Sequence, residues 1–362
     1  MNRKFDMWLL FFAVSITLLA LGLLYLAIKI SKLLPIKRKA LSIFIGFMIA
    51  IVIALLLSFA INFVNMIVVM VHFIIILLVF SLIGRLIFTI RRTQIKEKFV
   101  LVGAVVLSLI YLSAGYISAH NVERTNYAVK TDKVNSHLRI VMFADSHIGT
   151  TFSGVEFEKY VEKMNKEKPD AVVICGDLID DSTSSEDFKD ALSALSKLET
   201  KYGVFYSYGN HDRGYNRSNK NNLSPNEFET ALNESGITVL QDVGKPLNDD
   251  YYIIGREDKN KERKSAEELI NEADINKYII MSDHQPSDYE NEAKSGIDLV
   301  LSGHTHGGQM FPLQIFTNLA NDNTYGMKAL GKTSFIVTSG ISDWMVDFRM
   351  GTKAEYVVID IN

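Results

Sequence analysis

The stretch Ile140-Val141-Met142-Phe143-Ala144-Asp145-Ser146-His147 runs an apolar segment directly into an acid and an imidazole two residues apart. A short apolar run of this kind reads as a buried strand, and in open α/β sheets ligands bind at the carboxyl ends of strands. The pattern recurs. Ala171-Val-Val-Ile-Cys175 runs into Gly176-Asp177, Tyr278-Ile-Ile-Met281 reaches Asp283-His284 after one serine, and Asp298-Leu-Val-Leu301 reaches Gly303-His304-Thr305-His306 in the same way. The less apolar Val204-Phe-Tyr-Ser-Tyr208 precedes Gly209-Asn210-His211-Asp212. The five polar segments are therefore expected to converge on one sheet edge.

Taken singly, each has a plain structural reading: Asp145 and Asp177 as strand-end caps, His284 as a satisfied core histidine, Asn210 as a turn residue. Taken together they are a ligand set. Carboxylates are ionised and imidazoles largely neutral near pH 7, and a mixed oxygen and nitrogen shell suits Mn, Fe or Zn better than Mg or Ca. One carboxylate can bridge two cations roughly 3.5–4 Å apart, the separation that clamps a phosphoryl group. Asp177 is the candidate bridge.

In this order, the blocks Asp-x-His, Gly-Asp, Gly-Asn-His-Asp, His and Gly-His-x-His resemble the calcineurin-like metallophosphoesterases. Gly303-His304-Thr305-His306-Gly307-Gly308-Gln309, and Ser339-Gly340 followed by Trp344, Arg349 and Gly351, resemble the membrane-associated bacterial branch of that family. The resemblance covers residues 138–362 and is silent on the first third. It implies a four-layer α/β/β/α sandwich holding two divalent metal ions, manganese first, with zinc or iron as alternatives. Asp145, His147 and His306 would hold the first ion, Asn210, His284 and His304 the second, with Asp177 between them. It also implies in-line attack on phosphorus by water activated at the metals, protonation of the leaving oxygen by His211, and orientation of His211 by Asp212. One departure is Asp283, where relatives often carry a smaller residue; its carboxylate would tune the second metal or do nothing.

Charge divides the chain. Up to His120 the basic residues outnumber Asp6 and Glu97 to give +10, and the remainder carries −13 of the overall −3. The basic front contains four apolar stretches, Met7–Ile28, Ala40–Phe63, Met66–Phe88 and Phe99–Ala119, each near the ~20 residues of a spanning helix. The last is diluted by Gly103, Ser108, Ser113, Gly115 and Ser118, and the first is too long for a signal peptide core. Residues 1–119 are thus expected to be an all-α membrane domain of about four transmembrane helices, residues 120–137 a juxtamembrane tether or first edge strand, and residues 138–362 the metallophosphoesterase domain. Lys29, Lys32, Lys37, Arg38 and Lys39, and Arg85, Arg91, Arg92, Lys96 and Lys98, form two clusters that four spans would put on one side. The positive-inside rule makes that side cytoplasmic and the catalytic domain extracytoplasmic, mildly opposed by Arg3 and Lys4. His72 and Arg85 have no acidic partner within the spans, so the region reads as an anchor.

From Leu138 the pattern is strand then helix, with helices expected over Val155–Lys166, Glu186–Leu198, Phe228–Ser235 and Ala266–Ala273. The polar loop after Asp212 carries Arg213 and Arg217, either phosphate contacts or a solvated connection. The charged run Glu257–Lys264 reads as a solvated turn. Two apolar stretches, Met310–Phe316 and Trp344, Met345, Val346 and Phe348, would accept an acyl or prenyl chain, or make a core or dimer contact. The only cysteine, Cys175, rules out an intramolecular disulfide and reads as packing.

The acidic domain argues against nucleic acid, whose binding needs Lys and Arg. What remains as partner, beside the membrane itself, is a phosphorylated small molecule or a lipid-linked or envelope substrate carrying a phosphomonoester, phosphodiester or pyrophosphate. Two other classes stay open: a sensor that binds metal and phosphate without turnover, and a transporter whose soluble domain regulates the spans.

Overall fold

The computed structural model describes residues 3–93, 95–212, 223–310 and 313–362, with side chains from Ile16 onward. Two compact units divide the chain, Met1–Ala114 and Gly115–Asn362. The first holds α1 (Arg3–Ser31), α2 (Lys39–Ile61), α3 (Phe63–Arg91) and most of α4 (Glu97–His120). Among the described residues α2, α3 and α4 are long and apolar enough to cross a membrane, and α1 adds the shorter apolar helix Ile16–Ser31. Four spanning helices were expected; α1 is 29 residues long, but the side chains of its first half lie outside the described residues. Leu55, Leu56, Phe59, Leu109 and Ile110 are exposed, as lipid-facing side chains would be. At Gly46 a Cβ would lie 2.5 Å from the Ala27 carbonyl, the close backbone approach that small residues give to membrane helices.

The second unit begins with the last turn of α4. It continues through β1 (Glu123–Val129), β2 (Leu138–Phe143), α5 (Gly154–Lys166), β3 (Ala171–Cys175), α6 (Ser185–Leu195), β4 (Val204–Ser207), α7 (Pro225–Glu234) and β5 (Ile237–Val239). Then follow β6 (Val243–Pro246), β7 (Tyr251–Gly255), α8 (Ala266–Asn271), β8 (Tyr278–Ser282), α9 (Tyr289–Ser295) and β9 (Leu299–Ser302). The unit closes with α10 (Leu313–Ala320), β10 (Gly326–Leu330), β11 (Thr333–Val337) and β12 (Glu355–Ile361). The stretch 120–137 therefore contains an edge strand, β1, which pairs in parallel with β12 from Glu123↔Glu355 to Val129↔Ile361.

Two six-stranded sheets form, in the orders β1-β12-β2-β3-β4-β5 and β10-β11-β9-β8-β7-β6. The pleat explains why they stack. In β2, Ile140 and Met142 face one way and join Ile253, Ile280, Leu301 and Ile336 of the other sheet in a buried cluster. Val141 and Phe143 face the opposite way and meet Phe157, Val161 and Phe188 of α5 and α6. On the outer face of the second sheet, Ile279, Met281 and Val300 cover Leu269 and Ile270 of α8. Helix, sheet, sheet and helix give the four-layer α/β/β/α sandwich, and strands buried on both faces read as continuous apolar runs for this reason.

The helices start where capping chemistry directs. Ser153 with Glu156, Ser224 with Glu227, and Ser265 with Glu268 each form a capping box at the heads of α5, α7 and α8. α6 stops at Leu195 rather than Leu198. In the run Glu257–Lys264, Asn260, Lys261 and Glu262 are an exposed turn as expected, but Glu257 and Asp258 are buried. Asp258 accepts from Gln285 Nε2 at 2.8 Å, and Arg263 donates to the buried Asp283 at 2.9 Å, so these charges find partners inside the fold instead of water.

Phe157 is fully buried, with the Phe143 ring centroid 5.8 Å away and that of Phe152 at 5.7 Å. Phe157→Ala is expected to destabilise the second unit by about 3–5 kcal/mol, read as a lowered midpoint in denaturant unfolding of the purified protein.

Candidate metal centre

Every ligand segment leaves the carboxyl end of its strand, and the loops are laced together there. The β2–β3 ladder continues past both strands: Asp145 N donates to Gly176 O at 3.0 Å and His147 N to Asp177 O at 3.1 Å. Gly303 N donates to His284 O at 3.0 Å and Ser342 N to Asp145 O at 3.2 Å. Across the two sheets the Ser207 and Ser282 hydroxyls lie 2.5 Å apart, and Ser282 donates to Cys175 Sγ at 3.1 Å.

The convergence needs unusual backbone. Asp145, His147, Asp177, His304 and His306 all have positive φ, from 36° to 70°, a region that costs non-glycine residues energy and clusters at functional sites. Room is made by paired glycines: a Cβ on Gly209 would lie 2.2 Å from Asp177 Oδ1, and one on Gly176 would lie 2.5 Å from Gly209 N.

Two three-residue groups result, Asp145 with His147 and His306, and Asp177 with His284 and His304, each with candidate ligand atoms within 4.8 Å of one another. Asp177 reaches toward both: its Oδ2 is 3.0 Å from His284 Nε2 and 3.9 Å from His147 Nε2. Its Oδ1 accepts from His211 N at 2.7 Å, and both oxygens of Asp145 accept from His304 N. His284 Nδ1 faces the Cys175 carbonyl at 2.6 Å and His306 Nδ1 faces Ser342 O at 3.3 Å. A carbonyl can only accept, so each Nδ1 carries the proton and each Nε2 is left as the ligand atom.

A cation fits these residues. Nε2 of His147, Nε2 of His284 and Oδ1 of Asn210 are buried with no hydrogen-bond partner, which is costly unless something else satisfies them. The protonation pattern carries the same strain. Burial, reinforced by the neighbouring Asp177, pushes Asp145 up to about 6. Burial also pushes Asp177 up, but His284 beside it wins and holds Asp177 below the usual carboxylate range. Burial pushes His304 down to about 3 and His306 well below the ordinary histidine value. Against burial, Asp177 and Asp145 together hold His284 well above it.

The remaining expected residues divide. His211 lies with its ring 5.1 Å from that of His147 and 5.0 Å from that of Trp344. Asp212, the residue expected to orient His211, is buried and accepts from the loop backbone. Its Oδ2 accepts from Asp177 N at 2.9 Å and Gly209 N at 2.6 Å, and its Oδ1 from Leu178 N at 2.9 Å, so both oxygens pin the ligand loops. Asp283 pairs with Arg256 at 3.2 Å and Arg263 at 2.9 Å. Arg213, Arg217, Phe311 and Pro312 lie outside the described residues.

Residues not singled out for a role complete the site. Asp180 Oδ2 sits 3.4 Å from His147 Nδ1, a carboxylate behind an imidazole; its spacing three residues after Asp177 was the available signal. Arg349, fully buried, donates to Asp343 at 2.7 Å and to the carbonyls of Ser339 at 2.6 Å and Ser342 at 2.7 Å, holding the loop that faces His306.

A family model described as calcineurin-like phosphoesterase matches residues 138–308. An uncharacterized metallophosphoesterase of Campylobacter jejuni is 32% identical over 268 residues, 70% of this chain and 69% of that protein. An uncharacterized metallophosphoesterase of Helicobacter pylori is 31% identical, over 62% of this chain and 60% of its own length. A Bos taurus transmembrane protein with metallophosphoesterase domain is 27% identical over 60% of this chain, and this chain spans about half of it, 51%.

Gly209→Ala removes no ligand, yet its Cβ would strike the Asp177 carboxylate. It is expected to weaken metal affinity by at least tenfold, as about 1.4 kcal/mol or more of misplacement would, measured by elemental analysis after equilibrium dialysis over a range of free metal.

Proposed function

This chain belongs to the calcineurin-like phosphoesterase family, and from that premise we propose a membrane-anchored, dinuclear-metal phosphohydrolase that cleaves a phosphodiester or phosphomonoester of a lipid-linked or envelope substrate. A metallophosphoesterase is a phosphoester hydrolase, and the three apolar helices with a transmembrane relative make this one a membrane protein. The observation that carries the finer reading is the pair of three-residue groups with Asp177 reaching toward both.

In this reading Asp145, His147 and His306 hold one divalent ion and Asn210, His284 and His304 the other, with Asp177 shared. The oxygen and nitrogen donor set favours manganese, with zinc or iron as alternatives. When bound, the ions polarise the phosphoryl group and make water nucleophilic near neutral pH. The chain's own residues do the rest. Asp212 and Arg349 hold the ligand loops, Asp180 steadies the His147 ring, and His211, beside the Trp344 ring, donates a proton to the leaving oxygen.

Residues 1–119 act as the anchor, residues 120–137 join it to the catalytic domain, and residues 138–362 carry the chemistry. Basic residues cluster before α2 and around the junction of α3 and α4, so the positive-inside rule starts α4 in the cytoplasm and puts the catalytic domain outside whatever α1 does. Proximity to lipid then favours substrates carried at that surface.

The test uses the full chain in detergent, stripped of metal and resupplied with manganese, zinc or iron, against an aryl phosphomonoester and an aryl phosphodiester. Turnover should require metal. His211→Ala should keep its metal and lose roughly 10²–10⁴ in rate on a poor leaving group; full retained rate would remove His211 from the acid role. Two metals without turnover on any phosphoester would favour a metal- and phosphate-binding sensor.

A further inference from the structure

We propose that α10 and the Trp344–Met345 turn form a membrane-interfacial face, seated on the same bilayer that α4 enters and delivering a lipid-borne phosphoester to the metal centre. The substrate half rests on the phosphohydrolase reading above; the seating of the face does not.

The apolar exposure is concentrated. Leu319 is 81% exposed, Ile315 51% and Met345 46%, while Phe316 and Trp344 are also exposed, and α10 carries no charged residue and buries none of its side chains. Among the described residues between 121 and 362 the other exposed large apolar side chains are Val155 on α5, Val243 on β6, Ile275 in the turn before β8, and Met327 and Leu330 on β10. A short helix in contact with water on this face would gain nothing from such residues; in the headgroup region it buries them.

The face is a single piece. Gln314 Nε2 of α10 donates to Met350 O at 2.8 Å, Gln309 Nε2 donates to Val346 O at 2.8 Å, and Met350 N donates to Gln309 O at 2.8 Å. The approach is tight enough that a Cβ on Gly308 would lie 2.5 Å from Gln314 Cα.

What covers it follows from its neighbour. The same segment is fastened to the last turn of α4, a helix long and apolar enough to span: Arg349 N donates to Gly115 O at 2.9 Å, Ser118 Oγ donates to Thr352 O at 3.3 Å, and the Tyr116 and Phe348 rings lie 6.4 Å apart. Tyr116 and Ile117 on that turn are exposed as well. An apolar surface continuous with a spanning helix selects the bilayer over a protein partner, and Trp is a residue of the membrane–water boundary. At its far end the Trp344 ring meets His211, so the face runs from lipid to the candidate acid.

The test places the full chain in phosphatidylcholine vesicles with an environment-sensitive fluorophore on Leu319→Cys, or on Ile275→Cys as control. Ile275 is 65% exposed just before β8, at the end of the strand opposite the ligands, and the native Cys175 thiol is buried and pushed up to about 12, so it stays unlabelled. Brominated acyl chains should quench the label at 319 at least about threefold more than at 275, as insertion of ~5–10 Å requires. Equal weak quenching overturns the proposal, and so does self-quenching at 319 that grows with protein-to-lipid ratio, which would mean a second copy covers the face. Ile315→Glu with Leu319→Glu should cut turnover of a phosphoester lipid in vesicles about tenfold or more while a soluble aryl phosphodiester stays within about twofold. Equal loss on both substrates overturns the delivery role. If the unaltered protein turns over neither substrate, the phosphohydrolase reading fails, while the quenching still decides the interface.

Discussion

The carboxylate of Asp177 is the constraint on which the site depends. One oxygen accepts from the backbone of His211, the other faces His284 and His147, and its own amide donates to Asp212. A single side chain therefore ties three strand-end loops to both ligand groups. With Nε2 of His147, Nε2 of His284 and the Asn210 oxygen buried and unpartnered around it, cations are the natural complement, since buried polar groups without partners are among the costliest features a fold can carry.

Holding that arrangement requires support from well outside the ligands. Five of the candidate ligands sit at positive φ, and such strain persists only where the surroundings over-determine it. Here the surroundings are the extended β2–β3 ladder, the amide clamp of Asp212, and Arg349, whose guanidinium gathers the carbonyls of the loop after β11. Buried charges elsewhere follow the same rule: Asp283 stands next to His284 in sequence but is paired with Arg256 and Arg263.

The segment that holds His306 also touches the turn of α4. Thr352 Oγ1 lies 3.4 Å from His306 O, and the Thr352 carbonyl accepts from Ser118. In the proposed reading chemistry and anchor would share a few residues of chain, which would favour a surface-bound substrate over a dissolved one.

Much was legible from residue identity alone. The five blocks, the apolar runs that end in them, the serines that cap α5, α7 and α8, and the apolar lengths of the spans are local signals, set by side-chain chemistry and short-range periodicity, and the four-layer arrangement followed from the family they resemble. Partner choice was not legible. That Asp212 would spend both oxygens on backbone amides, that Asp283 would turn to two arginines, that Glu257 and Asp258 would be buried, and that Asp180 would stand behind His147 all depend on contacts between residues distant in sequence or on loops with special backbone angles. The sequence determined which groups were available and roughly where each strand would release them. Only the packing of two sheets decided which groups met, because a hydrogen bond or ion pair is fixed by distances of a few ångströms that no local pattern encodes.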